Sequence, residues 1–389
     1  MKKHDLAGVS IVFVAAAVVG LALELRPEEP KGVRTEPQAD RCAALVERIQ
    51  KAPAAPMSGP GLAGVIGGAS VKVLYPFSQE LMLPLPQLAN GQVPITFFMR
   101  SEPADAVAEL RLWDRGDGNV VLRVRLVGKR QDVKLEWAAV VLLAPSHPAR
   151  AVKESTVFEK ATDCVQSEAK DIKNLAADLW PATGKKTDYA SNIQQHISGM
   201  KRKERPWSLD ALGILKSGEN SICTSNANLA AALLRAKGVP CRSVAVVPPN
   251  GMRLEMHRVV EFTEDGQWRT FDPSSLTRDI PAKPWQNIVM ALTTIEDEEA
   301  AMKPRMGAMV GCPYGQELEL LTQGVTLFGQ EFFWTMAKPL AEFTPTDEAM
   351  RTARDAWEAF LKSGSLRCEQ IAASTATTTD EFAKQIKSP

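Results

Sequence analysis

No Cys-x-x-Cys pair occurs in the chain, histidine appears only four times, and the charges cancel at 46 Lys and Arg against 46 Asp and Glu. Each shortage excludes a class. Without paired cysteines or a His/Cys cluster at ligand spacing, neither a zinc site nor a dithiol redox motif can be read. Six cysteines in 389 residues are too few for a disulfide scaffold. A net charge of zero removes the basic field that nucleic-acid binding requires, so no nucleic-acid partner is expected. The acidic run Glu296-Asp297-Glu298-Glu299 has no ordered calcium-loop pattern and reads as a solvated helix start.

What is present is globular in character. The chain is 45% hydrophobic and 24% charged, and long enough for two or three modest domains. Lys2 and Lys3 precede an apolar run from Leu6 to Leu23, about the minimum for a bilayer span. Lysines on that side favour a cytoplasmic N-terminus and an exported remainder. The small-x-small pair Gly20 and Ala22 would suit cleavage, so residues 1–25 read as a signal anchor or a signal peptide. The expected location is the cell envelope, either membrane-anchored facing outside the cytoplasm or exported.

Residues 26–63 are rich in proline and polar residues and read as a linker, with a short helix near Arg41 to Lys51. From 64 to 150 the period is two. Leu122, Val124 and Leu126 alternate with Arg123 and Arg125, and short polar turns separate such runs. This predicts a small antiparallel, sandwich-like β-domain with no catalytic constellation, a spacer or docking module. From 151 to 287 helical patterns give way to short strands. From 288 to 389 the signal is mostly helical, with Met350, Ala353, Trp357 and Phe360 on one face of a segment that Thr346 can cap and Gly364 can end. The fold class is α+β.

One stretch carries chemistry. Cys223 opens an alanine- and leucine-rich helix that Gly238-Val239-Pro240 stops. A thiol in a helix's first turn faces unpaired N–H groups and their partial positive charge, which favours the nucleophilic thiolate. His257 follows on one strand pattern and Asp272 on the next, joined by the Glu264-Asp265-Gly266 turn. Two antiparallel strands could bring these side chains together, with His257 taking the thiol proton and Asp272 orienting the imidazole. Arg242 and Trp268 read as structural, and Cys241 as core.

The region from about Asn192 to Ser275 resembles the transglutaminase-like superfamily of papain-fold cysteine enzymes. Cys223 and Ala227, the run Leu234-Arg235-Ala236-Lys237-Gly238-Val239-Pro240-Cys241-Arg242, then His257, Gly266, Trp268, Asp272 and Pro273 match its pattern, with Ser274 for the usual threonine. The family commonly has glycine, an acidic residue and an aromatic where this chain has Ser221, Ser225 and Val259. The resemblance implies a papain-like core, a cysteine-bearing helix on an antiparallel sheet, with Cys223, His257 and Asp272 as triad and no cofactor or metal. It also implies an oxyanion helper upstream of the cysteine. Trp207, Tyr189 and Gln194 are the candidates, beside the backbone N–H of Cys223. The implied activity is thioester-forming attack on protein or peptide amides, ending in cross-linking, deamidation or proteolysis. The alternative is a non-catalytic envelope module that binds protein through the same fold.

Overall fold

The computed structural model describes residues 38–73, 79–114, 118–127, 131–145, 155–202, 209–220, 222–254, 257–276, 279–301, 319–321 and 330–362. The apolar run Leu6–Leu23 and its signal or anchor role lie outside these residues. No described helix is long and apolar enough to cross a membrane.

The period-two segments form two antiparallel sheets. The first has the order β10 (Arg253–Leu254), β15 (Gln330–Glu342), β1 (Gly61–Val73), β6 (Gln131–Leu143) and β3 (Gln92–Glu102). The second has β14 (Glu319–Leu321), β2 (Gln79–Pro84), β5 (Val120–Leu126) and β4 (Val107–Asp114). Strand β5 shows why alternation folds this way. Leu122, Val124 and Leu126 are fully buried, while exposed Arg125 pairs with Glu109 on β4 at 2.8 Å. Residues of both sheets share one buried cluster, which makes a sandwich.

Two helices complete this core. Helix α1 (Gln38–Lys51) buries Cys42, Leu45, Val46 and Ile49. It lies so close to β1 that a Cβ at Gly64 would collide with Ile49. The linker expectation for 26–63 therefore does not extend to these residues, whose apolar face is part of the core. Helix α7 (Asp347–Lys362) buries Met350, Ala353 and Trp357, and the Ala349 N–H donates to Thr346 Oγ1 at 3.2 Å as its cap. The helical expectation after residue 287 holds for α6 (Ile295–Ala301) and α7. It does not hold for Gln330–Glu342, which pairs antiparallel with β1 along its length. A ladder to a distant strand decides this segment, and local pattern does not.

The third sheet runs β12 (Gln267–Phe271), β11 (His257–Glu264), β9 (Cys241–Val247) and β13 (Ile288–Leu292), all antiparallel. Helices α2 (Lys170–Leu179), α3 (Lys186–Gly199), α4 (Ala211–Ser217) and α5 (Cys223–Ala236) share a core with Cys241, Val260, Phe262 and Phe271 of that sheet. Strands β7 (Lys201–Arg202) and β8 (Glu219–Asn220) form a short parallel pair.

The sandwich is joined to this sheet by more than a linker. Strand β13 is one of the sheet's two outer strands, and buried amides of the sandwich take its edge groups. Gln92 accepts from the Val289 N–H at 2.8 Å and donates to its carbonyl at 2.9 Å. Asn119 does the same for Leu292 at 2.7 and 2.9 Å, and Gln87 donates to the Met290 carbonyl at 3.0 Å. Val247, Ile288 and Met290 also enter the sandwich core.

Candidate active site

Helix α5 sets the thiol. Thr224 to Arg235 are all buried, so the helix is packed on every side, and its alanines allow close approach. At its far end Val239 N–H donates to Leu234 O at 3.1 Å and Gly238 N–H to Arg235 O at 2.9 Å, with Gly238 at φ 66°. That is a Schellman stop, which only a residue tolerating the left-handed region gives cheaply. At the near end Ile222 is the N-cap and has no side chain to cap with. Cys223 is the first helical residue, half-buried beside the first-turn N–H groups.

The hairpin sets the other two groups. Asp265 and Gly266 take φ 52° and 71°, the left-handed pair of a tight two-residue hairpin. This fixes the register with Val260 opposite Phe271, so His257 and Asp272 meet at the open end. His257 Nε2 lies 2.8 Å from Asp272 Oδ2. Asp272 is buried, its Oδ1 accepts from the Ser274 N–H at 2.9 Å, and its carbonyl accepts from Gln194 Nε2 at 2.9 Å. Asn226, one turn into α5, donates to Ser274 Oγ at 3.1 Å and ties the helix to the Asp272 loop.

Electrostatics follow from this packing. Burial alone would raise the Cys223 thiol; the hydrogen bond and charge of His257, with the backbone N–H and charge of Arg258, outweigh it and bring it below the ordinary range. Burial alone would lower His257, yet its bonds to Asp272 and Cys223 and their charges push it up to about 9. Cys241 shows the contrast. Fully buried, it is pushed up to about 12 and stays a thiol.

The oxyanion candidates fare differently. Tyr189 is fully buried and donates its hydroxyl to the Leu233 carbonyl at 2.8 Å, so it is a core residue and not an oxyanion donor. Gln194 spends its amide on the Asp272 backbone, behind the His–Asp pair. Trp207 lies outside the described residues. Arg242 pairs with Glu261 at 2.9 Å and stacks over Trp268, with 4.4 Å to the ring centroid. The acidic run is not solvated at Glu298. That carboxylate is buried in a two-pronged pair with Arg235 at 2.7 and 2.8 Å. No cluster of His, Cys, Asp and Glu among the described residues could hold a metal.

Sequence reasoning missed Arg258. It follows His257 directly, is 2% exposed, and donates to Thr293 Oγ1 at 2.6 Å. The available signal was its parity on β11 with Val260 and Phe262, which put a charge at an inward position.

Comparison with known families falls on the same segment. Residues 173–273 match the family described as the transglutaminase-like superfamily. This segment is a transglutaminase-like domain. The domain carries Cys223, His257 and Asp272, and it leaves the β-sandwich outside the match. Among solved structures, one named as a candidate cysteine protease from Cytophaga hutchinsonii aligns over 75% of this chain and 96% of its own, at 13% identity and a TM-score of 0.49. A candidate protease from Parabacteroides distasonis aligns over 59% of this chain and 47% of its own, at 15% identity and a TM-score of 0.27. No curated protein matches the chain.

Proposed function

We propose that the chain is a cysteine enzyme that transfers or hydrolyses the acyl group of protein or peptide amides. The observation that carries this is the placement of a half-buried thiol at the start of α5, against a histidine held at 2.8 Å by a buried aspartate. The Cys223 thiolate attacks the carbonyl carbon, the C–N bond breaks, and the imidazolium of His257 gives its proton to the leaving amine. A thioester remains. Neutral His257 then takes a proton from water or a second amine, whose attack releases the acyl product and restores the thiolate–imidazolium pair. First-turn N–H groups of α5, that of Cys223 foremost, would hold the oxyanion.

A polypeptide substrate is supported by where apolar side chains are left bare. Ile222, Met252 and Leu276 are 37, 56 and 61% exposed, and each lies within five residues of a triad member. The lysines and apolar run near the N-terminus support a place at the cell envelope, tested by fractionation and by protease access from outside the cytoplasm.

The deciding experiment is trapping of the acyl-enzyme. Incubated with a glutamine-containing peptide library, the protein should gain an acyl mass on the Cys223 peptide and release an amine or ammonia, and Cys223→Ala should do neither. A folded wild-type chain that never acquires such an adduct would sink this reading.

A further inference from the structure

Helix α5 is mostly alanine and leucine along its buried length, and Asn226 interrupts that composition. Asparagine is a poor helix former, because its amide competes with the backbone for hydrogen bonds. This one is 4% exposed, and its Oδ1 has no hydrogen-bond partner among the described residues. An empty buried acceptor costs stability. The amide Nδ2 does have a partner, Ser274 Oγ at 3.1 Å, yet Ser274 is exposed and water would serve its hydroxyl almost as well. Fold stability alone therefore does not account for the residue.

The bonds beyond Ser274 give it a use. The Ser274 N–H donates to Asp272 Oδ1 at 2.9 Å, and His257 Nε2–H donates to Asp272 Oδ2 at 2.8 Å, since a carboxylate only accepts. Gln194 binds the backbone carbonyl of Asp272 and not its carboxylate. Asn226 lies one helical turn after Cys223, on the same side of α5. A continuous run of hydrogen bonds thus leads from the helix that carries the thiol, through Asn226, Ser274 and Asp272, to the imidazole.

We propose that Asn226, acting through Ser274, is a positioning residue that fixes the Asp272 carboxylate relative to the helix carrying Cys223 and so sets the direction of the His257 ring. This rests on the reading of Cys223, His257 and Asp272 as a triad. Along a packed helix the separation of Cys223 and Asn226 is constant, so the imidazole is referred to the same rigid body as the nucleophile. The orphaned Oδ1 is the cost of that reference point: the amide is kept for the geometry it imposes on its other side.

The test reads ring position apart from stability. Labelled with 15N-histidine, the full-length chain gives ring signals from only four histidines, and loss of one set in His257→Ala assigns that residue. Asn226→Ala should move the His257 ring 15N shifts, because they report the hydrogen bond at each nitrogen. In turnover of a peptide amide it should lower kcat about tenfold and leave KM unchanged. Its denaturant midpoint should change little, since an orphaned acceptor leaves the core and a better helix former enters. Ser274→Ala, an exposed change, should move the ring shifts and kcat the same way, and it carries the test if Asn226→Ala does not fold. Ser274→Thr keeps the hydroxyl and should behave as wild type. Ring shifts that stay at their wild-type values in Asn226→Ala, or in Ser274→Ala where that is the variant that folds, overturn the proposal. So does a Ser274→Thr chain as impaired as Ser274→Ala. The triad reading is checked separately by alkylating Cys223 with iodoacetamide across pH. A wild-type labelling midpoint at the ordinary thiol value of about 8.5, with ring shifts that move in the variants, counts against the proposed function and leaves this inference standing. A lowered midpoint with an acyl-enzyme on Cys223, and ring shifts that do not move, keeps the function and ends the inference.

Discussion

His257 Nε2 and Asp272 Oδ2 stand 2.8 Å apart across the open end of the β11–β12 hairpin, fifteen residues apart in sequence. Because that nitrogen is taken by the carboxylate, the other one is left to face Cys223. The bond also sets when the pair can work. His257 is raised to about 9, so it stays protonated through neutral pH, and its charge and hydrogen bond lower Cys223 and favour the thiolate. A bell-shaped dependence of kcat/KM on pH is expected, with its acid limb at the Cys223 titration and its alkaline limb near pH 9.

Replacing the carboxylate tests the same relationship. Asp272→Asn should move the alkaline limb to lower pH and reduce turnover by orders of magnitude, on the order of 10⁴ in a comparable triad. It should also change stability. A histidine raised on folding stabilises fully below its unfolded value, and that contribution is lost as pH rises through about 9. Wild type should therefore lose its advantage over Asp272→Asn between about pH 6.5 and 9, measured by denaturant titration at each pH.

The bare apolar residues should govern substrate and not thiol chemistry. Leu276→Ser and Met252→Ser should raise KM for peptides with bulky apolar residues beside the target amide. Steady-state kinetics on a matched pair of peptides, one apolar and one polar, would show it, with Cys223 alkylation unchanged as the control. Equal loss on both peptides would argue against a specificity role.

The Arg235–Glu298 pair is buried at both ends, with side-chain exposures of 0 and 1%. Removing one partner leaves an uncompensated charge, so Glu298→Ala should cost about 3–5 kcal/mol by denaturant unfolding. The paired change Arg235→Met with Glu298→Leu should recover much of that cost, because the desolvation penalty of both ions disappears together. Neither should alter the Cys223 labelling midpoint in chains that remain folded.

The junction of sandwich and sheet should be structural. Gln92→Leu leaves the Val289 N–H without its acceptor in a buried setting, and about 1–3 kcal/mol of destabilisation is expected. A chain starting at Val152 loses Gln87, Gln92 and Asn119 together and bares the edge of β13. It is expected to associate through that edge, visible as concentration-dependent aggregation in light scattering.

By itself the sequence determined the local parts of this protein. Alternation of Leu122, Val124 and Leu126 named a half-buried strand, because side chains on a strand change face at every residue. Gly238 before Val239-Pro240 named the end of α5, and Asp265-Gly266 named the hairpin, because few residues take those backbone angles. The placement of Cys223 at a helix start was legible for the same reason, and so was the spacing that lets His257 meet Asp272. Tertiary structure decided what depends on distant partners. Gln330–Glu342 became a strand because β1 offered it a ladder. Glu298 left solvent because Arg235 waited inside. The hydroxyl of Tyr189 went to the back of α5, the Gln194 amide settled behind Asp272, and Gln92 and Asn119 found the edge of β13. A hydrogen bond or ion pair between residues far apart in the chain leaves no periodic trace in the sequence, since its partner is fixed only when the layers pack.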